Sequence, residues 1–164
     1  MRVLVLDTGP LYDYVTATYQ LELPGPMPIT SPFHTRGELA DFREFVRSHN
    51  KRLTVPGVAV ELWGLFSRNS DARRAAILWK HHVSQMRALE IEEHHVPVET
   101  DVDTAASDGP VDVALCALAR EQRGEHAVVT ILTIEQRHVL KWRTRSESNV
   151  MTLLQVLEQI RSDR

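Results

Sequence analysis

Two short apolar, β-branched segments constrain this chain more than anything else in it. Residues Arg2 to Leu6 read RVLVL, and residues Ala127 to Leu132 read AVVTIL. A strand that is apolar along both faces must be covered on both, which is the signature of a parallel sheet between layers of helix. Amphipathic or apolar helical stretches separate the strand-like segments, as a parallel sheet requires of its crossovers. After the first strand, Leu11, Tyr14 and Val15 give a short helical face. Gly37 to Asn50 reads as a helix with Leu39, Phe42 and Val46 on one side. Arg52 to Val55 is a strand, and Pro56 opens a helix from Val58 to Phe66. A longer helix, capped by Asn69, Ser70 or Asp71, runs from there to about Leu89. Its expected core stripe is Ala72, Ala76, Trp79, Val83 and Met86. His95 to Val98 is a weak edge strand. Val111 to Arg120 and Glu135 to Trp142 are helices. Asn149 to Thr152 is a last short strand, and Leu153 to Ile160 a terminal helix. The expectation is one α/β domain over residues 1–164, with three layers (α/β/α) and a central parallel sheet of four or five strands.

The segment from Thr16 to Arg36 resists this pattern. Pro24, Pro26, Pro28 and Pro32 exclude a continuous helix, so it is expected as a long loop. The 164 residues suit one domain with one core. No apolar run approaches the roughly 18 residues of a membrane span, and Met1 to Leu6 is too short for a signal-peptide core. The single cysteine, Cys116, forms no internal disulfide, which fits the cytoplasm. It sits among apolar helical residues and reads as a buried thiol rather than a nucleophile. The adjacent pairs His81-His82 and His94-His95 do not face one another on a helix and do not make a zinc site. Trp63, Trp79 and Trp142 read as core or interface.

Ligands of parallel α/β sheets bind beyond the carboxyl ends of the strands. Four acids fall at such places: Asp7 directly after the first strand, Glu61 in the helix after the second, Asp112 opening an apolar helix, and Glu135 after the strand that ends at Leu132. Each alone has an ordinary role as a cap, a surface residue or a first-turn acid. Together at one rim they would repel each other, and a hard divalent cation reconciles them. Carboxylates around Mg²⁺ or Mn²⁺ equip a protein for phosphodiester hydrolysis. Two other readings of Asp7 fail. Asp7-Thr8-Gly9 matches the aspartic-protease triplet, but that chemistry needs a β-rich scaffold and a second aspartate. A phosphatase of the aspartyl-phosphate kind carries another acid two residues on, where this chain has Gly9.

The ordered set of segments resembles the PIN domain, a nuclease fold that includes the VapC-type toxins of toxin–antitoxin pairs. Val3 to Leu11 (VLVLDTGPL) resembles the opening strand with its first acid. Thr54 to Leu62 (TVPGVAVEL) resembles the strand, proline and helix that carry the second. Val111 to Ala119 (VDVALCALA) resembles the alanine-rich helix of the third, and Val128 to Glu135 the strand and Thr of the fourth. The resemblance covers nearly the whole chain. It implies a Mg²⁺- or Mn²⁺-dependent endoribonuclease that leaves 5′-phosphate and 3′-hydroxyl ends. Asp7, Glu61, Asp112 and Glu135 are then metal ligands and catalytic groups, and Thr8 and Thr133 orient them. It also implies RNA as substrate, an antitoxin protein as partner, and a homodimer through the helices Val58–Phe66 and Ala72–Leu89.

The chain departs from the family at several points. Glu135 stands where an Asp is usual, which leaves the second metal position open and keeps a catalytically degenerate RNA- or protein-binding module as the alternative. The proline-rich segment is long, and the stretch from His95 to Asp112 is short for the helix that belongs there. Asp108, four residues before Asp112, is a substitute ligand. Phosphate contacts are expected from two basic groups. One is a helical stripe of Arg43, Arg47 and Lys51; the other is Arg137, Lys141, Arg143 and Arg145. The overall charge of −3, from 22 acidic and 19 basic residues, first counts against nucleic acid. Setting the four rim acids aside brings the remainder to near balance.

Overall fold

The computed structural model describes residues 1–22, 31–96, 108–124 and 127–163. Its strands are β1 (Arg2–Leu6), β2 (Lys51–Thr54), β3 (Glu92–Glu93), β4 (Val128–Thr133) and β5 (Asn149–Thr152). Among the described residues there are seven helices. They are α1 (Thr8–Glu22), α2 (Arg36–Arg47), α3 (Pro56–Asn69), α4 (Ala72–Ala88), α5 (Pro110–Glu121), α6 (Gln136–Ser146) and α7 (Leu153–Ser162). The five strands form one all-parallel sheet in the order β3-β2-β1-β4-β5.

That order follows from the two apolar segments. Val3 to Leu6 and Ile131 to Leu132 are at most 1% exposed, so β1 and β4 are the strands that must sit at the centre. They pair along their full length, from Arg2 opposite Val128 to Leu6 opposite Leu132. The chain steps outward from β1 to β2 to β3, then returns to the far side of β1 and steps from β4 to β5. Right-handed crossovers place helices on opposite faces for the two directions. Accordingly, α1 packs on α3 and α4, and α2 on α7, while α5 covers β1 and β4 and packs on α6. The result is the expected three-layer α/β/α architecture.

Local chemistry sets the helix starts. Pro56 and Pro110 occupy first-turn positions, where a missing N–H costs nothing. Asp71 caps α4 by accepting from the Arg74 N–H at 2.8 Å, and Thr152 and Gln155 form a reciprocal capping box on α7. Gly109, before Pro110, has φ of +85°, a region that favours glycine. Glu38, buried in α2, receives the Arg161 Nε at 2.8 Å and the His34 N–H at 2.5 Å, which fastens α7 to α2.

The structure corrects several expectations. Helix α1 runs to Glu22, so residues 16–22 of the supposed loop are helical. Residues 23–30, with Pro24, Pro26 and Pro28, lie outside the described set. The edge strand is Glu92–Glu93 rather than His95 to Val98, of which Pro97 and Val98 lie outside the described residues. The stripe of α4 is rotated by one residue: Ala75, Leu78 and His82 are buried, while Ala72, Ala76 and Val83 are exposed. Polar contacts decide this rotation. The Tyr14 hydroxyl donates to Gln85 at 3.0 Å, and Thr18 lies 2.9 Å from His81, so α1 grips α4 beside the apolar face.

His82 therefore lies in the core against Trp79, with its Nδ1 buried and without a hydrogen-bond partner among the described residues. Burial pushes its pKa down to about 4. The unfolded chain takes up this proton near pH 6.5 and the native protein does not, so stability is lost as pH falls from about 6.5 towards 4. The shift corresponds to on the order of 3 kcal/mol. His82→Leu is expected to show a smaller loss of urea midpoint than wild type between pH 7 and pH 4.5. Equal losses in both would place the imidazole outside the core.

Candidate active site at the carboxyl edge of the sheet

Between β1 and β4 the outward progression of the strands reverses. Such a reversal opens a crevice at the carboxyl ends of the two strands, because the loops leaving them part towards opposite faces. Asp7 leaves β1 at this point. Its backbone N–H still donates to Leu132 O at 3.0 Å, so the ladder holds the carboxylate at the rim. The side chain is fixed from two sides: Thr133 Oγ1 donates to Oδ2 at 2.8 Å, and the Thr8 N–H donates to Oδ1 at 2.6 Å. Thr8 Oγ1 donates in turn to Glu61 Oε2 at 2.6 Å, which joins α1 to α3. Thr133 Oγ1 also accepts the Glu135 N–H at 3.2 Å. Two threonines thus link three of the four acids into one hydrogen-bonded chain.

Close approach of the helix starts makes this possible. A Cβ on Gly9 would lie 2.4 Å from Ile134 Cγ1, and one on Gly57 would lie 2.7 Å from Val111 Cγ2. Only glycine lets the first turn of α1 meet the β4–α6 turn, and the first turn of α3 meet that of α5.

Asp112, in the first turn of α5, completes the group. Burial pushes its pKa up to about 7, and the charges of Asp7, Glu61 and Glu135 add to the shift. Asp7 is raised to about 6 by burial, against the opposing hydrogen bonds from Thr133 and Thr8. The carboxylates are therefore in electrostatic reach of one another. The residue missed in the sequence is His138. It stacks on Trp142, with Nδ1 4.0 Å from Asp112 Oδ2 and Nε2 3.9 Å from Glu135 Oε2. Both separations exceed hydrogen-bond length, and Nδ1 is buried without a hydrogen-bond partner among the described residues. Its position three residues after Glu135, on the same helical face, is the signal that would have found it.

Other candidates lie elsewhere or are engaged. Asp108 is ion-paired with Lys141 and Arg145. Arg137 pairs with Glu135, and Arg143 donates to Val150 O at 3.3 Å. The stripe of Arg43, Arg47 and Lys51 is not one helical face: α2 ends at Arg47, and Lys51 opens β2 at the amino edge of the sheet, opposite the carboxylates. Arg43 Nε donates to the Tyr14 hydroxyl at 2.6 Å, Arg47 pairs with Glu44, and Lys51 donates to Gln122 at 3.3 Å. Cys116 is buried, and burial raises its pKa to about 12, as for an inert thiol.

Among the described residues no three His, Cys, Asp or Glu side chains form a ready metal cage. The donor set is nonetheless hard oxygen, with an orphaned imidazole nitrogen facing Asp112 across a gap. Mg²⁺ keeps several waters and does not demand a closed protein cage. Among the described residues no helix is long and apolar enough to cross a membrane. Comparisons of the chain with protein-family models, with curated proteins and with solved structures give no match.

The raised carboxyls set a pH dependence. The native protein keeps protons on Asp7 and Asp112 up to about pH 6–7, whereas the unfolded chain releases them near pH 4. This share of stability is present at pH 4 and lost as pH rises through about 7. In EDTA, Asp112→Asn is expected to raise the thermal midpoint at about pH 8 and to change it little at pH 4. An unchanged midpoint at pH 8 would mean that the four charges do not repel.

Proposed function

We propose that this chain is a Mg²⁺- or Mn²⁺-dependent endoribonuclease of the PIN type. The observation that carries the reading is the gathering of Asp7, Glu61, Asp112 and Glu135 at the reversal between β1 and β4, with Thr8 and Thr133 orienting the Asp7 and Glu61 carboxylates. Asp7, Glu61 and Asp112 would hold the ion, with Glu135 beside them. When bound, the ion offsets the charge of the phosphodiester and lowers the cost of deprotonating a water. The protein's own part is positional. Thr133 and Thr8 hold Asp7 in one orientation, and the Thr8–Glu61 bond holds the second acid near it. His138, between Asp112 and Glu135, is placed to accept or pass a proton at the same rim. Arg137 stands at the edge, where a phosphate would compete with Glu135 for its guanidinium.

The pairing of Arg137 with Glu135 also favours a second reading, a PIN-like module that binds RNA or protein without efficient cleavage. One experiment separates the two. Wild type is expected to cleave a structured RNA panel in Mg²⁺ or Mn²⁺, with Asp7→Asn slower by at least about a hundredfold, since the loss of a metal ligand removes a transition-state interaction of several kcal/mol. Millimolar Mn²⁺ is expected to raise the thermal midpoint of wild type and not of Asp7→Asn. Equal cleavage by both proteins, or none by either with no shift in midpoint, would leave the binding-module reading.

A homodimer is part of the proposal. Val60 is 73% exposed and Trp63 45% exposed on α3, and Ile77 and Val83 are exposed on α4. Trp63 and Trp79 meet edge to face across the two helices, at 5.9 Å between centroids. Large apolar side chains gathered on one surface favour association. Trp63→Glu is expected to shift the sedimentation coefficient to that of a monomer. A wild type that is already monomeric at micromolar concentration would refute this.

A further inference from the structure

A second polar site lies beyond the carboxylates along the same two helices. Five residues after Thr8 on α1, about 7.5 Å along its axis, Asp13 lines a cleft of about 190 Å³ bounded by α1, α3 and α4. This is smaller than the roughly 300–1,000 Å³ typical of pockets for drug-sized ligands, and so suits one ring system rather than a whole nucleotide. Its aromatic walls are Tyr12, Tyr19 and Phe66, with Tyr12 stacked on Phe66 at 5.6 Å.

Among the described residues, Thr16, Ser31, Asn69 and Ser70 spend their polar groups within the protein, but three other residues of this cleft do not. Asp13 makes no side-chain hydrogen bond or ion pair among the described residues, and burial alone raises its pKa to about 6. Gln20 Oε1 is buried and without a hydrogen-bond partner among the described residues. Arg74, which lines the same cleft, has a backbone N–H spent on the Asp71 cap. Its guanidinium pairs with neither Asp13 nor any other carboxylate among the described residues. A carboxylate and an arginine that line one small cleft without pairing leave room for a ligand that satisfies both. An acceptor left unmade in a low-dielectric place is costly, and a donor-bearing ligand recovers that cost.

We propose that this cleft is a guanine-recognition pocket for single-stranded RNA, set one step away from the cleavage site. Among the four bases only guanine presents two adjacent donors, N1–H and the N2 amino group, beside an acceptor, O6. The donors suit the Asp13 carboxylate, with the second N2 proton available to Gln20 Oε1, and O6 suits the Arg74 guanidinium. Adenine and cytosine would turn a ring-nitrogen lone pair towards Asp13, and uracil offers one donor between two carbonyls. Unpaired bases are commonly held between aromatic side chains and read on this edge. The assignment rests on the nuclease reading for its biological sense, since α1 carries both Thr8 at the carboxylate rim and Asp13 in the cleft.

The test uses the whole protein in EDTA, with the four nucleoside 5′-monophosphates and inosine 5′-monophosphate titrated calorimetrically. Guanosine monophosphate is expected to bind at least about tenfold more tightly than the adenosine, cytidine and uridine compounds. Inosine monophosphate, which lacks the N2 amino group, is expected to fall between. Asp13→Asn is expected to abolish the preference. Should that variant fail to fold, Arg74→Gln, on the exposed first turn of α4, is expected to reduce it. Equal binding of all five, binding of none, or an unchanged preference in the folded variants would overturn the proposal. So would binding of arginine amide as tightly as guanosine monophosphate, which would assign the cleft to a protein side chain. Guanine selectivity in a protein that cleaves no RNA would keep the cleft and discard the nuclease; RNA cleavage without guanine selectivity would do the reverse.

Discussion

The pairing of β1 with β4 is the constraint on which everything else rests. It joins the two most apolar strands over five residue pairs and carries the ladder one residue further, to the Asp7 N–H on Leu132 O. Strands close in sequence lie on one side of this pair and the late strands on the other. The pairing is therefore also the place where the chain reverses its progression and the loops separate. An acid after β1 and a threonine after β4 are brought together by the same hydrogen bonds that build the core. Thr133 is fully buried, yet its hydroxyl serves both Asp7 and Glu135.

This placement has an energetic consequence. Four carboxylates at one rim, two of them held well above their ordinary pKa, oppose folding at neutral pH. The protein tolerates them because the surrounding contacts are over-determined. Glycines at 9 and 57 allow helix starts to crowd together, and two threonines fix the acids in a definite order. Strain of this kind, offset elsewhere in the fold, accumulates where chemistry is done.

The sequence was most legible where burial is two-sided. β1, β4 and the acids that follow them could be located because a run such as VLVL has few alternatives. The capped helices α4 and α7 also began close to where their sequence signals lie. Legibility failed where a one-residue choice depends on a partner. The stripe of α4 is ambiguous in the sequence because Trp79 and Val83 are more apolar than Ala75 and His82, while Tyr14 and Thr18 of α1 bind Gln85 and His81 beside the buried set. Lys51 continued the four-residue spacing of Arg43 and Arg47, yet the helix had already ended. His138 is hard to single out in the sequence because it lies among basic residues, and only its spacing of three from Glu135 sets it apart.

The basic residues teach a related point about charge. Arg137, Lys141 and Arg145 are all committed to acids of the protein itself, so a positive cluster in the sequence is not a positive surface in the fold. Arg74 is the contrasting case. It sits at a capped helix start that fixes its backbone and leaves its side chain unengaged by any carboxylate among the described residues, beside an aspartate in the same condition. Charges already paired within the fold must be freed before they can hold a ligand, whereas those of Arg74 and Asp13 need only be approached. By this measure the cleft between α1, α3 and α4 is better prepared for a polar, uncharged base edge than the α6 cluster is for a phosphate.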